Sequence, residues 1–430
     1  MVAFSLPSLW PRRTAEPWCR TALSGGASLE GAVTAAAREL AGCGEADLAL
    51  VFASTSYGSD LPRLMPLLQE RLKARHWLGC AGGGVIGTSG DGLPHEREQE
   101  PALSVTLLRL PGAELQPFAI DTTSLPDLDG PPTAWIEAVG IDPAAAPSMV
   151  LLIDPTSASI NDLINGLDFS YPHTIKVGGV AGQHSAGHGS LLLGDGVHSG
   201  AIGCVIGGSW RLDPVVAQGC RPIGPVFEVE EAQRNVVLRL ASAASSGTPV
   251  ACLQAILADL STEDRERVRH SLFLGVGRNS FDLPLLAPDP DRPDPGVQDA
   301  FLVRNLIGVD PRTGSVAVAE RMRQGQRVQF QLRDGSTSLQ EQRQLLTTAR
   351  QQQPQPLAAL LFACLGRGRG LYGRADGDVS LCRELFPELP ISGAFCNGEI
   401  GPVGGTTHLH GYTASWGFLV ADRSNAGPGT

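Results

Sequence analysis

The 430-residue sequence has no apolar run near the roughly 20 residues that a membrane-spanning helix needs. Its first 20 residues lack the unbroken apolar core of a signal peptide, being interrupted by Pro7, Pro11 and Pro17. Positive charge is in deficit. Lys and Arg number 33 against 44 Asp and Glu, a formal net charge of -11. A nucleic acid or anionic membrane surface is a poor partner for that balance, because such binding draws on counterion release to a basic surface. The nine cysteines form no CxxC pair and are too scattered for a disulfide framework. They read as reduced thiols, which places the protein in the cytoplasm. Cysteine and histidine never converge at metal-site spacing; His184 with His188, and His408 with His410, come nearest, and no metal is expected. Gly79, Gly82, Gly83, Gly84 and Gly87 follow a strand but do not spell GxGxxG. No Gly-Lys-Ser/Thr follows and no helix opens there, so tight backbone packing is the better reading than a phosphate cradle. A Gly-x-Ser-x-Gly elbow is missing too. No cofactor is expected.

An internal repeat is present. Its first copy opens on the apolar strand 49–54, continues through a helix over 61–73 and a glycine-rich strand from Trp77 to Gly87, and closes on a strand over 103–110. The second copy runs from a strand at 149–154 through a helix over 160–167 and Val177-Gly178-Gly179 to strands at 190–193 and 200–206. The third has its strand at 359–364, its helix over 381–386 and its glycine segment at 391–401. Aligning Gly79 with Gly393 brings Gly84 onto Gly398, Ile86 onto Ile400 and Gly87 onto Gly401. Strand-like runs at 271–276, 301–307, 315–318 and 328–332 suggest a fourth, degraded copy. The switch from helical to alternating periodicity within each unit predicts an α/β protein of two domains. Each would be built from strand-helix-strand-strand units in layered mixed or antiparallel sheets covered by helices. The expected divisions are a loose tail over 1–24, a first domain over 25–225, a second over 226–422 and a flexible end over 423–430. Pro249 to Leu260 reads as a helix with proline in its first turn. Residues 286–297 read as an exposed loop, and the glutamine-rich stretch 342–355 as a segment without a core, part of which could continue a helix before Pro354. Trp77, Trp135, Trp210 and Trp416, spread over separate units, read as core residues.

Polar residues at the ends of apolar strands supply the candidate site. Arg304 and Asn305 follow Phe301-Leu302-Val303, Arg333 ends Gln331-Leu332, and Arg367 follows the Cys364 strand. Asn397 and Glu399 lie among glycines, and His410 and Thr413 begin another strand segment. Buried charge must be paired or hydrogen-bonded, so the cluster is a structural network or a pocket. A guanidinium fork suits a carboxylate or another oxyanion. The weaker catalytic candidates are Cys364, whose thiolate the following arginines would stabilise, and Glu399 with His410 as an acid–base pair.

In these segments the sequence resembles the FIST family. The matching stretches are Val51-Phe52-Ala53-Ser54, Leu78-Gly79-Cys80, Lys176-Val177-Gly178-Gly179 and Gln218-Gly219-Cys220-Arg221-Pro222. Those in the second half are Phe301-Leu302-Val303-Arg304-Asn305, Phe362 to Gly368, Asn397 to Pro402 and Leu409 to Thr413. The resemblance implies paired FIST N and FIST C domains and an intracellular sensory or signal-transduction role. Its ligand would be a small polar molecule, an amino acid or another carboxylate. It transfers no catalytic set, and the proline-interrupted start does not read as an F-box. A separate signalling protein or a homo-oligomer would carry the output. An enzyme using Cys364 or Glu399, and a protein-interaction scaffold, are the competing readings.

Overall fold

The computed structural model describes residues 16–243, 245–277, 301–353 and 355–422. Three units share one order of elements: strand, helix, strand, helix, strand, hairpin, strand. The first unit comprises Trp18–Gly25, the helix Leu29–Glu39, Ala46–Ser54, the helix Leu61–Gln69, Ala74–Gly82, the hairpin Gly84–Thr88 with Pro94–Glu98, and Ala102–Arg109. The second has Ala113–Ile120, Thr133–Val139, Ser148–Ile153, Ile160–Ser170, Ile175–Val180, the short hairpin Leu191–Leu193 with Gly196–His198, and Ala201–Gly208. The third runs from Trp210–Ala217 to Gly335–Gln352, Ala358–Cys364, Gly377–Leu385, Ile391–Cys396, the hairpin Glu399–Val403 with Thr406–His410, and Ala414–Ala421.

Each unit centres on one parallel strand pair: Ala46–Ser54 with Ala74–Gly82, Ser148–Ile153 with Ile175–Val180, and Ala358–Cys364 with Ile391–Cys396. Glycine at one equivalent position lets each pair form. A Cβ at Gly79, Gly178 or Gly393 would lie 1.8 Å from the carbonyl oxygen of Val51, Leu151 or Leu361 across the pair. Only glycine fits so close an approach of two backbones. The aligned glycines therefore mark true structural equivalents.

The hairpins do not stay in their own sheets. That of the first unit pairs with the third unit's Ile391–Cys396, that of the second with Ala74–Gly82 of the first, and that of the third with Ile175–Val180 of the second. The exchange is cyclic. Two of the three sheets consequently mix strands from both halves of the chain. Their inner faces share one apolar core containing Leu50, Phe52, Val150, Leu152, Leu360 and Phe362. The outer faces are covered by the helices of each unit. Trp77, Trp135, Trp210 and Trp416 are all buried.

The stretch expected as a fourth copy is a different object. Phe227–Gln233, Val236–Ala241, Ser315–Val318, Phe301–Asp310, Leu272–Gly277 and Arg327–Arg333 pair antiparallel in that order, and the last strand pairs back with the first. This closed barrel has its own core, including Val229, Leu240, Val276 and Phe330. It is inserted between the first strand and first helix of the third unit. Closure removes sheet edges, which is how an insertion without the glycine-marked parallel pair stays folded. The helix Pro249–Asp259, capped by Thr248, packs on it.

Two further expectations differ. Trp18–Gly25, expected within the tail, pairs along its length with Ala102–Arg109 because its Cys19, Ala22 and Leu23 are buried. The glutamine-rich stretch does continue a helix, Gly335–Gln352, which Asp334 caps by accepting from the Thr337 N–H at 2.8 Å. That helix buries Gln342 and Leu346 completely, so the region does contribute to a core. The loop expected over 286–297, residues 1–15 of the tail and the end 423–430 lie outside the described residues. Among the described residues, no helix is long and apolar enough to cross a membrane.

Candidate functional site

The inner ends of the parallel strands meet in a cycle of backbone hydrogen bonds. Gly83 N–H donates to Phe395 O at 3.0 Å, Gly182 N–H to Ala81 O at 2.7 Å, and Asn397 N–H to Val180 O at 2.9 Å. Each unit gives one donor and one acceptor. Beside this cycle, the other strand of each pair ends in Ser54 or Cys364 or, in the second unit, is followed directly by Asp154. All three side chains do the same local job. The N–H of Ser56 donates to Ser54 Oγ at 3.2 Å, that of Thr156 to Asp154 Oδ1 at 3.0 Å, and that of Gly366 to Cys364 Sγ at 3.4 Å. Such turns are a standard way of ending a strand. Cys364 thus fills a structural position, and burial followed by the nearby Glu399 pushes its thiol up to about 11. The expected stabilisation of its thiolate by the following arginines is not what the structure contains, because Arg367 is committed elsewhere.

Glu399 breaks the repeat. Its strand partner is Gly179; in the equivalent pairs Val85 stands opposite Ala394 and Leu191 opposite Cys80. Two apolar side chains occupy this inward position, so the fold does not call for a carboxylate there. Glu399 is fully buried. Its Oε2 accepts the Thr413 N–H at 2.9 Å, while Oε1 is buried without a hydrogen-bond partner. No Arg or Lys nitrogen lies within ion-pair distance of it among the described residues. Burial raises its pKa well above the carboxylate range, and the Thr413 N–H, Arg367 and Arg333 offset this only in part.

The barrel contributes Arg333 from the end of its strand. Its Nη2 donates to Gly366 O at 2.5 Å and its guanidinium lies 4.5 Å from the centre of the Tyr412 ring. Its Nε is buried without a partner. Burial and the neighbouring Arg367 lower its pKa from the usual guanidinium value. Arg333, Cys364, Gly366, Glu399, Tyr412 and Thr413 therefore line a seam between barrel and third unit.

Arg367 lies at the same seam with a different role. Its Nε donates to Asp378 Oδ2 at 2.8 Å, and its Nη2 to Asp378 Oδ1 at 2.7 Å and to the Tyr372 hydroxyl at 2.6 Å. Nη1 donates to Tyr412 O at 3.3 Å. Burial alone would disfavour the charge, but Asp378 more than offsets it and the pKa rises. The guanidinium is satisfied within the protein. Arg304 is likewise engaged, by Glu320 and by Leu409 O. Asn305 is half-buried on the same barrel strand. Asn397 is exposed and donates through Nδ2 to Ala181 O at 2.8 Å. His410 stands opposite Glu399 in the strand ladder, yet its Nε2 bonds Gly401 O at 3.0 Å, and Arg304 and His408 are its neighbours. Burial drives its pKa down to about 3. An acid–base pair of Glu399 and His410 is therefore not formed: each ring and carboxyl oxygen that is bonded uses the backbone instead.

Several buried polar residues escaped the sequence reading. Glu96 accepts the N–H groups of Gly377, Asp378 and Val379 at 3.2, 2.9 and 3.0 Å, so the first unit's hairpin caps a helix of the third. Gln218 bonds Phe301 O and the Val303 N–H, each at 3.0 Å, and fastens the barrel to the connecting strand. Glu341 accepts the N–H groups of Gln218 and Gly219. Lys176 is buried against Asp168 Oδ1 at 2.6 Å and the carbonyls of Tyr171 and Thr174. A lone charged residue in an apolar sequence context was the available signal for Lys176, whereas Glu96 stands in the polar run from His95 to Glu100, which offered none. A cleft of about 210 Å³ elsewhere is walled by Val215, Leu345, Phe386 and Phe418, and none of the four candidate groups Arg304, Arg333, Arg367 and Glu399 lines it.

Comparison with known proteins adds three findings. The FIST N domain model matches residues 47–242 and the FIST C domain model residues 249–402. An uncharacterized protein of Mycobacterium tuberculosis is 34% identical over 388 residues, covering 90% of this chain and 94% of that protein. One of Mycobacterium bovis is 33% identical over 383 residues, covering 88% and 92%. Among solved structures, a cyanuric acid hydrolase from A. caulinodans aligns over 94% of this chain and 99% of its own at 10% identity, with a TM-score of 0.31.

Proposed function

This chain belongs to the FIST family, and on that premise we propose that its sensory, signal-transduction role is exercised by binding a small polar ligand that carries a carboxylate. The ligand lies at the seam between barrel and third unit, with Arg333 and Glu399 as its principal contacts and Cys364, Tyr412 and Thr413 around them. Arg304, Asn305, Asn397 and His410 stand at the periphery, and Arg367 braces the wall through Asp378.

One observation carries this reading. Arg333 Nε and Glu399 Oε1 are both buried and both lack a partner, although buried polar atoms are nearly always satisfied. Leaving each bare costs about 1–3 kcal/mol. A polar guest would remove that cost, and because its contacts come from two bodies it would tighten the barrel against the third unit. That is a means of signalling to a protein partner. The competing thiol-enzyme reading draws no support from Cys364, whose raised pKa leaves little thiolate at neutral pH. Native mass spectrometry of freshly purified protein tests the proposal. A small carboxylate should co-purify with the wild type and be lost from Arg333→Met; a ligand-free wild type that also gains no thermal stability from any carboxylate metabolite would sink it.

A further inference from the structure

Leu345, Thr348, Ala349 and Gln352 stand at i, i+3, i+4 and i+7 of the helix Gly335–Gln352 and so share one face. Leu346, beside them, is fully buried in the outer core of the third unit. The stripe itself borders the cleft of about 210 Å³. Facing it are Val215 of the edge strand, Phe386, Phe418 and the hairpin turn at Val403 and Gly404. The rings of Phe386 and Phe418 are 5.3 Å apart. An apolar cavity of about 150 Å³ is enough to admit benzene, so this cleft has room for a ring with a short polar head. The fold does not demand such a lining. The corresponding corner of the first unit, where first strand, end of the first helix and hairpin turn meet, presents Arg20, Glu39 and Asp91 instead.

No unpaired charge lines the cleft among the described residues. Asp213 is its one ionic side chain, and Arg211 donates to it through Nε at 2.9 Å and Nη2 at 3.3 Å. Arg350 lies 5.8 Å from the centre of the Phe386 ring but is not part of the lining. Thr348 donates its hydroxyl to Gln344 O at 3.1 Å. The polar groups left for a guest are the amides of the exposed Gln352 and the half-buried Gln353, each able to donate and to accept. A charged guest would enter without a counter-ion, and burying an unpaired charge costs far more than burying a hydrogen-bonded amide. We propose that this cleft binds small uncharged ring compounds bearing a carboxamide. The ring lies among Leu345, Ala349, Phe386 and Phe418, and the carboxamide meets Gln352 and Gln353. The site shares no residue with the seam and stands apart from the function proposed there.

Benzamide, benzoate and benzylamine share one ring and differ in the charge of the head. Calorimetry and ligand-observed NMR with the full chain at pH 7 compare them. Benzamide should bind at least about tenfold tighter than either charged probe. Ala349→Phe fills the cleft from the helix face and should abolish that binding, while Arg333→Met, at the seam, should leave it unchanged. Gln352→Glu, at an exposed position that the fold does not depend on, brings an unpaired carboxylate to the mouth and should shift the preference toward benzylamine. A charged probe binding the wild type as tightly as benzamide overturns the proposal, as does benzamide binding that survives Ala349→Phe. Failure of all three probes to bind overturns it too; a wild-type dimer that Ala349→Phe turns into a monomer would then assign the cleft to a second copy of this chain.

Discussion

Arg367 and Asp378 form a two-bond ion pair in which both side chains are fully excluded from solvent. Their contact joins the segment after Ala358–Cys364 to the first turn of Gly377–Leu385, whose N-terminus Glu96 caps from another unit. Breaking such a pair strands one buried charge, whereas removing both members is far less costly. Arg367→Met should lower unfolding stability by about 3–5 kcal/mol, and Arg367→Met with Asp378→Leu should recover much of that. Urea unfolding of the single and double variants decides it. A neutral Arg367→Met would mean that the arginine is held for a ligand and not for the wall.

Gly79, Gly178 and Gly393 each leave no room for a Cβ against a facing carbonyl. Alanine at any of them must push the two parallel strands apart. The expected cost is about 1–3 kcal/mol or more for each, while Gly187→Ala, with nothing within 4 Å of its Cβ, should be tolerated. Thermal unfolding of the four variants makes the comparison. Equal losses at Gly178 and Gly187 would contradict the equivalence of the three strand pairs.

Glu399 should give the protein a stability that fades with rising pH. Its folded pKa lies well above the unfolded value, so the native state holds the proton more tightly. The contribution is complete below about pH 4.3 and is lost as pH rises through the folded value. Glu399→Gln carries no titrating group and should flatten this part of the profile. Stability measured by urea between pH 5 and 9 should converge on, or fall below, that of the variant as pH increases. Parallel profiles would show that Glu399 is ionised in the folded protein.

His410 acts in the opposite sense. Its folded pKa of about 3 lies below the ordinary 6.5, so the unfolded chain binds the extra proton first. Stability from this group is present above about pH 6.5 and is lost as pH falls toward 3. His410→Gln, whose amide can still reach Gly401 O, should lose less stability over that interval. Circular dichroism in acid titration is the measurement, and identical acid midpoints would reject the assignment.

The three repeated units were legible because their signal is local. Gly79 and Gly393 fall in register, and helices expected over 61–73, 160–167 and 381–386 are found at Leu61–Gln69, Ile160–Ser170 and Gly377–Leu385. The hairpin exchange was not legible, because alternation says that Gly84–Thr88 is a strand but not which sheet accepts it. The barrel strands were found as strands and assigned to the wrong object. What they lack is a glycine facing a carbonyl across a parallel pair. In the site, buried polar residues were correctly suspected, but a sequence cannot tell a satisfied guanidinium from an orphaned one. Arg367 has its partner in Asp378, eleven residues on, and Arg333 leaves Nε bare.

Cyclic hairpin exchange sets a timetable for the emerging polypeptide. The sheet built around Ala46–Ser54 is complete once His198 has been synthesised, since all six of its strands lie before that point. The sheet around Ser148–Ile153 must wait for Thr406–His410, and the hairpin Gly84–Thr88 with Pro94–Glu98 has no acceptor until Ile391–Cys396 leaves the ribosome. For most of translation, then, open strand edges need shielding from neighbouring chains. A fragment stopped after the first 225 residues would carry those edges permanently, and its natural fate is aggregation.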